Sequence, residues 1–136
     1  MIKIGIAGFG TIGRVVARHI ETSELPLTLT AVSAGDRGRA EAAMTALRTP
    51  VPVLGTDELV AACDVIVDSA PTAAFRDIAE TTLRAGKTLV TVSGAALMQW
   101  PEAVELARAH NGRIILATGA LLGLDAVRAA AIGTIH

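Results

Sequence analysis

The sequence has almost no aromatic side chains: Phe9, Phe75 and Trp100 make up 2% of its 136 residues, and tyrosine is absent. Hydrophobic residues nevertheless account for 51% of the chain, which excludes an intrinsically disordered protein. The core must therefore be built from valine, isoleucine, leucine and alanine. Such a core is typical of a parallel β-sheet that is covered by helices on both faces.

The sequence also lacks long apolar runs, basic clusters and a second cysteine. No apolar stretch approaches the roughly 20 residues of a membrane span, and no charged region leads into a signal core. The net charge is −1, which argues against a nucleic-acid or anionic-membrane partner. One cysteine excludes an internal disulfide and a cysteine metal cluster, and fits a reducing compartment. We therefore expect a cytoplasmic protein.

Few side chains are candidates for catalysis or metal binding. His19, His110 and His136 do not have metal-ligand spacing, so no metal site is predicted. Ser69 and Ser93 have no neighbouring base in the sequence, so neither is assigned as a nucleophile. No catalytic residue is predicted.

Two further side chains are predicted to be structural. Cys63 is expected to be a small buried residue rather than a reactive thiol, because nothing near it in the sequence would lower its pKa. Trp100 is predicted to be a partly buried anchor, with a role in covering a crevice or an interface as the alternative.

The most informative pattern lies in the first thirteen residues. Residues 3–7 read as a short strand and lead into the motif GFGTIG at residues 8–13, after which helical periodicity begins. In a Gly-x-Gly-x-x-Gly turn, Gly8 allows the sharp turn out of the strand and Gly10 leaves room for a pyrophosphate beside the backbone. Gly13 lets the helix pack closely on the sheet. This order of strand, turn and helix predicts a dinucleotide site.

Strands and helices alternate along the whole chain. The predicted strands are residues 3–7, 27–33, 49–54, 64–68, 87–92 and 114–117. The predicted helices are residues 12–24, 39–47, 56–62, 72–85, 101–110 and 124–131. This alternation predicts one α/β domain with a doubly wound, mostly parallel sheet, the Rossmann fold. The prolines in residues 49–54 suggest an irregular or peripheral position for that strand.

Five loops follow the carboxyl ends of the predicted strands, where open α/β sheets bind their ligands. They comprise residues 8–13, 34–37, 69–71, 93–95 and 118–120, and we expect them to form one crevice. Ser69, Ala70 and Ser93 are therefore candidate cofactor-binding residues.

The choice between NAD and NADP depends on the second loop. An acidic residue about 20 residues after the glycine turn normally accepts hydrogen bonds from the adenosine ribose and favours NAD. Asp36 is the nearest candidate, although it comes a little late. Arg37 beside it can instead pair with the 2′-phosphate of NADP, and a third interpretation makes both of them solvated loop charges. The spacing favours NAD, and NADP stays open.

Three segments resemble the L-aspartate dehydrogenase family. Residues 92–97, VSGAAL, are similar to that family's VSVGAL, and residues 118–126, TGALLGLDA, resemble its Pro-Gly-Ala-Ile-Gly followed by a hydrophobic residue, aspartate and alanine. Residues 68–70, DSA, fall where the family has an acidic residue, a small residue and alanine. The resemblance covers all 136 residues. The chain departs from the family in having Thr118 for proline and two alanines after Gly94.

The resemblance implies a function and a set of contacts. Aspartate dehydrogenases oxidise L-aspartate to iminoaspartate with NAD or NADP, which releases oxaloacetate and ammonia or supplies pyridine-nucleotide synthesis. The family's cofactor contacts carry over onto Gly8, Gly10, Thr11, Ile12 and Ala120, of which Ala120 is expected on the nicotinamide side.

In that family the second half of the chain carries the catalytic histidine and most substrate contacts. The resemblance therefore implies that residues 1–136 are a dinucleotide-binding domain without the C-terminal catalytic domain, inactive alone and homodimeric in the complete enzyme. Two alternatives stay open. They are a homoserine dehydrogenase-like enzyme and a stand-alone, non-catalytic nucleotide-sensing domain.

Overall fold

The computed structural model describes residues 1–117, which form five strands and six α-helices, with one short 3₁₀ turn at Met44–Ala46. The strands are β1 (Ile2–Ala7), β2 (Leu27–Ser33), β3 (Val65–Asp68), β4 (Thr88–Thr91) and β5 (Arg113–Leu116). The helices are α1 (Thr11–Thr22), α2 (Arg37–Ala43), α3 (Thr56–Ala62), α4 (Thr72–Arg84), α5 (Gly94–Met98) and α6 (Glu102–Ala109). The predicted helix at residues 124–131 lies outside the described residues.

All five strands are parallel and lie in the order β2-β1-β3-β4-β5. The chain moves outward from β1 to β2 and then returns to place β3 on the other side of β1. The strand order therefore reverses between β1 and β3, which is the switch point where open parallel sheets bind ligands. The predicted doubly wound α/β fold is confirmed.

The core has two layers, one on each face of the sheet, because successive strand residues point to opposite faces. On β1, Ile6 packs with α1 and α2, while Ala7 packs with the layer formed by α3, α4 and α6. Both layers are mainly aliphatic. The aromatic exceptions in the second layer are Phe75 and Trp100, whose rings meet edge to face with centroids 6.4 Å apart.

Trp100 is more deeply buried than a partly buried anchor, with 6% of its surface exposed. The guanidinium carbon of Arg76 lies 3.9 Å from the centroid of its ring, so a cation lies over one face of the ring. The side chain therefore anchors the start of α6 against α4.

The prediction of a strand at residues 49–54 is wrong, whereas the irregular, peripheral position predicted for this segment is confirmed. Only Val53 pairs with the sheet, through a single parallel bridge to Val32 beyond the edge of β2. Pro50 and Pro52 have no amide hydrogen, so this segment cannot donate the regular series of bonds that a ladder requires. Helix α5 is a second difference. It begins directly after Ser93, where the sequence predicted only a loop.

Cys63 is buried, with 1% of its surface exposed, as the sequence predicted. Burial, and to a lesser degree the neighbouring Asp64 carboxylate, raises the pKa of its thiol above the ordinary value. The stability linked to this neutral thiol is present below the ordinary pKa and is lost as the pH rises above it, because the unfolded chain then releases the proton first.

We expect iodoacetamide to modify Cys63 slowly in the native protein and rapidly after a denaturant is added. The thiolate is the reactive form, and both burial and the raised pKa keep its population low. Mass spectrometry of timed samples measures the two rates. Equal rates with and without denaturant would contradict the buried, neutral thiol.

No helix within residues 1–117 is long and apolar enough to cross a membrane. The same residues contain no group of three histidine, cysteine, aspartate or glutamate side chains placed to hold a metal ion.

Candidate functional site

The carboxyl ends of four neighbouring strands meet at one edge of the sheet. Ala7, the last residue of β1, pairs with Ser33 at the end of β2 and with Asp68 at the end of β3. Asp68 in turn pairs with Thr91 at the end of β4. The loops that follow these residues are therefore brought together, as the alternation of strands and helices predicted.

The glycine turn after β1 is held by contacts with the loop after β3. Gly8 has φ +90°, and a Cβ atom there would lie 2.5 Å from both the Cα and the N of Ala70. The Ser69 hydroxyl donates a hydrogen bond to the Gly8 carbonyl oxygen at 2.7 Å. A Cβ atom at Gly13 would overlap the same carbonyl oxygen. Gly8 and Gly13 are thus required by the fold itself.

Gly10 is different, because no heavy atom lies within 4 Å of where its Cβ would be. It caps the N-terminus of the twelve-residue helix α1 without a side-chain hydrogen bond, and the first turn of that helix has no acidic residue. The first backbone N–H groups of a helix have no partner within the helix and favour an anion. The open space and these donors fit a pyrophosphate group.

Three adjoining clefts surround the loop at residues 69–71, and Ala70 and Pro71 line all of them. The first, of about 520 Å³, lies between the glycine turn, the loop after β2 and the start of α2. The second, of about 420 Å³, is bounded by residues 33–35, 54–56 and the start of α4. The third, of about 380 Å³, faces residues 92–96 after β4. The three clefts therefore share the loop at residues 69–71 as a common wall.

Most of the predicted cofactor-binding residues lie on these clefts. The first cleft is lined by six of them, which are Gly8, Gly10, Thr11, Asp36, Ser69 and Ala70. Ser93 lines the third cleft, whereas Gly13 lies buried beneath the turn. Ile12 is 52% exposed and lines none of the three. Ala120 lies outside the described residues.

The two charged candidates after β2 have different positions. The Asp36 carboxylate caps α2 and accepts a hydrogen bond from the backbone N–H of Arg39 at 3.0 Å. Arg37 does not line the clefts, and its Nε atom pairs with Glu41 at 2.9 Å on an exposed helix surface.

Two arginines that the sequence analysis did not assign line the first cleft instead. They are Arg14, directly after the glycine motif, and Arg39 in the first turn of α2. The Arg14 Nε atom is buried and has no hydrogen-bond partner within residues 1–117. The position of Arg14 directly after the glycine motif could have identified it as a site residue from the sequence alone. The position of Arg39 depends on where α2 begins, which Asp36 sets by capping it.

Asp68 is a further site residue without a role assigned from the sequence. Its carboxylate is fully buried and accepts three hydrogen bonds, from the Ala70 backbone N–H at 3.2 Å, the Thr91 hydroxyl at 2.7 Å and the Ser93 hydroxyl at 3.1 Å. It therefore ties the loop after β3 to the loop after β4.

Comparison with known proteins gives a family match and a set of relatives. The family described as "Homoserine dehydrogenase, NAD binding domain" matches residues 8–117. L-aspartate dehydrogenase of Bradyrhizobium diazoefficiens is 45% identical over 99% of this chain and 48% of its own length. L-aspartate dehydrogenase 3 of Bordetella bronchiseptica is 41% identical over 99% of this chain and 50% of its own. The chain spans about half the length of the curated relatives it matches.

Solved structures share the fold. Scyllo-inositol dehydrogenase from Lactobacillus casei with bound NAD(H) superposes with a TM-score of 0.65 at 21% identity, over 84% of this chain and 36% of its own. A putative homoserine dehydrogenase from Archaeoglobus fulgidus has a TM-score of 0.60 at 27% identity, over 85% of this chain and 42% of its own. The open space at Gly10 and the donors of α1 agree with these matches. The chain therefore belongs to the homoserine dehydrogenase NAD-binding domain family, resembles L-aspartate dehydrogenases along its length, and has NAD or NADP as its cofactor.

Proposed function

We propose that this chain is the cofactor-binding part of an L-aspartate dehydrogenase. The observation that supports this most directly is the 45% identity to such an enzyme over 99% of the chain, which includes the glycine turn and the loops after β3 and β4. The cleft fits the proposal because Gly10 opens it to a pyrophosphate while Gly8 and Gly13 hold its walls. Residues 1–136 then form one dinucleotide-binding domain.

The proposed reaction is oxidation of L-aspartate to iminoaspartate, which hydrolyses to oxaloacetate and ammonia or supplies pyridine-nucleotide synthesis. The nicotinamide ring, when bound, accepts a hydride from the α-carbon of the amino acid. The residues of this chain bind and orient the cofactor. Gly10 and Thr11 line the first cleft, where the pyrophosphate is proposed to lie, and Ser93 lines the third cleft, where the nicotinamide is proposed to lie. Ala120 stays a proposed contact on that side.

Acid–base chemistry is proposed to come from the half of the enzyme that this chain does not match. Asp68 is fully buried, and its oxygens accept bonds from three protein donors, so it is not placed to exchange a proton with a substrate. We accordingly expect residues 1–136 alone to be inactive. On the grounds of the family resemblance and the composition, we also propose that the complete enzyme is a cytoplasmic homodimer.

The test is an assay of the full gene product with L-aspartate and with L-homoserine, each with NAD and NADP, following the absorbance of the reduced nicotinamide. Reduction that depends on aspartate supports the proposal. Reduction that depends on homoserine favours the second candidate, which has the family description and the Archaeoglobus fulgidus structure in its support. Cofactor binding without turnover of either substrate would indicate a nucleotide-sensing domain.

The arginine positions lead to a prediction about cofactor preference. Arg39 lines the first cleft beside Asp36, whereas Arg37 pairs with Glu41 outside it. We expect Arg39→Ala to weaken NADPH binding about 10-fold more than NADH binding, because the charge-assisted bond is made only to the 2′-phosphate. Arg37→Ala is the matched control and is expected to change neither. Fluorescence titration measures both constants. A selective weakening of NADPH binding in Arg37→Ala, without the same effect in Arg39→Ala, would instead make Arg37 the phosphate contact.

A further inference from the structure

Asp68 is a buried carboxylate whose partners are all neutral donors. It lies at the carboxyl end of β3 and is 0% exposed, and none of the ion pairs within residues 1–117 includes it. Its Oδ1 atom accepts the Ala70 N–H bond, while its Oδ2 atom accepts the hydroxyls of Thr91 and Ser93. A buried carboxylate destabilises the fold unless its lone pairs accept hydrogen bonds, so loss of any of these three bonds is unfavourable.

The hydrogen bond to Asp68 determines what Ser93 can offer a ligand. A serine hydroxyl has one proton, and that proton is donated to Asp68 Oδ2 at 3.1 Å. The Ser93 backbone N–H is also engaged, because it donates to the Thr91 hydroxyl oxygen at 2.9 Å. Ser93 lines the third cleft, so only the lone pairs of its oxygen remain for a group bound there.

We propose that Asp68 is a positioning residue that makes the Ser93 hydroxyl oxygen a hydrogen-bond acceptor for the nicotinamide half of the cofactor. The group that it accepts from is a donor, either the carboxamide NH₂ or a hydroxyl of the adjoining ribose. This inference rests on the assignment of the cofactor to the clefts around residues 69–71. It extends that assignment by specifying that the Ser93 hydroxyl accepts, rather than donates, a hydrogen bond in the third cleft.

The amide of an asparagine cannot accept all three of these hydrogen bonds, and at position 68 only a carboxylate can. Three donors approach its two oxygens, so an asparagine must turn its NH₂ group toward at least one of them. If the amide oxygen keeps the Ala70 N–H, the NH₂ group faces Ser93 and Thr91. The Ser93 hydroxyl then accepts from Asn and presents its proton to the cleft, which reverses its direction toward the ligand.

The experiment compares three ligands on the full gene product by calorimetric or fluorescence titration. NADH contains both candidate donors, ADP-ribose keeps the ribose hydroxyls but lacks the carboxamide, and ADP lacks both. We expect Asp68→Asn and Ser93→Ala each to weaken NADH binding about 5- to 10-fold and to leave ADP binding within about 2-fold, as for loss of one hydrogen bond. ADP-ribose binding falls with NADH binding if the donor is a ribose hydroxyl and stays with ADP if it is the carboxamide.

Asp64→Asn is the matched control. This carboxylate is exposed, precedes β3 at its other end and accepts a hydrogen bond from the Lys3 N–H at 2.9 Å, far from the clefts. We expect it to leave binding of all three ligands unchanged. Ser93→Ala carries the test if Asp68→Asn fails to fold, because it removes only a part-buried hydroxyl.

The outcomes separate the two assignments. Equal weakening of NADH and ADP in both variants would make Asp68 a structural residue only and overturn the inference, as would unchanged NADH binding in Ser93→Ala. Wild-type protein that binds neither NADH nor ADP would instead overturn the cofactor site itself.

Discussion

Replacing Gly10 with alanine is expected to weaken NADH binding about 100-fold or more while leaving the free energy of unfolding nearly unchanged. No heavy atom lies within 4 Å of the position that the new methyl group takes, so the fold accommodates it without strain. In the proposed site a pyrophosphate approaches the first turn of α1 through that same space, so a methyl group there is expected to keep it away from the backbone donors. Titration with NADH and denaturation with urea measure the two quantities.

Gly38→Ala is the control for this prediction. Gly38 lies within α2, does not line the clefts, and its Cβ would meet only the Asp36 carboxylate at an ordinary 3.8 Å. We expect its binding to match that of the wild-type protein, and alanine stabilises the helix by up to about 1 kcal/mol. If Gly10→Ala binds NADH as tightly as Gly38→Ala does, the pyrophosphate does not lie against Gly10 and the cleft is misassigned.

Replacing Gly8 with alanine, unlike replacing Gly10, is expected to lower the free energy of unfolding by a large amount. Its φ of +90° is unfavourable for a residue with a side chain, and its Cβ would lie 2.5 Å from backbone atoms of Ala70. Unlike a flexible side chain, that backbone cannot move aside without displacing the wall that all three clefts share. We expect a loss of about 3 to 5 kcal/mol, from backbone strain together with overpacking.

Urea denaturation followed by circular dichroism measures this loss. It is a large share of the roughly 5 to 15 kcal/mol by which domains are stable, so the variant can be partly unfolded at room temperature. Gly10→Ala, two residues away in the same turn, serves as the control because it adds the same methyl group without a contact. A midpoint for Gly8→Ala within experimental error of that control would show that the loop after β3 does not restrain the turn.

Most of the elements are evident in the sequence because their signals are local. The strand, the glycine turn and helix α1 are evident from residues 2–22, and the alternation that follows predicts a parallel sheet. Residues 49–54 are the exception, because their apolar side chains suggest a strand whereas two prolines leave a single bridge to Val32. Helix α5 was not predicted, because it has only five residues and its N-cap residue Ser93 makes no side-chain cap hydrogen bond.

The candidate site was likewise predicted only where its signals are local. Gly8, Gly10 and Ser69 were assigned from turn chemistry and strand order, and the structure brings them to one cleft. The sequence placed Arg37 in the loop after β2 and Arg39 at the start of the next helix, and only Arg37 was assigned as a candidate, whereas α2 already begins at Arg37. The cap that Asp36 makes with the Arg39 N–H sets the start of α2 and so decides which side chain lines the cleft.

By itself the sequence determined the class of fold and the kind of ligand, because hydrophobic period, turn glycines and helix starts depend on neighbouring residues. Only the tertiary structure decided that the fold requires Gly8 and Gly13 but not Gly10, and that the Ser93 hydroxyl donates to Asp68. Those answers come from contacts between distant parts of the chain: Ser69 reaches the Gly8 carbonyl across 61 residues, and Ser93 reaches Asp68 across 25. No local pattern encodes such a pair, since its geometry exists only once the parallel strands align their carboxyl ends.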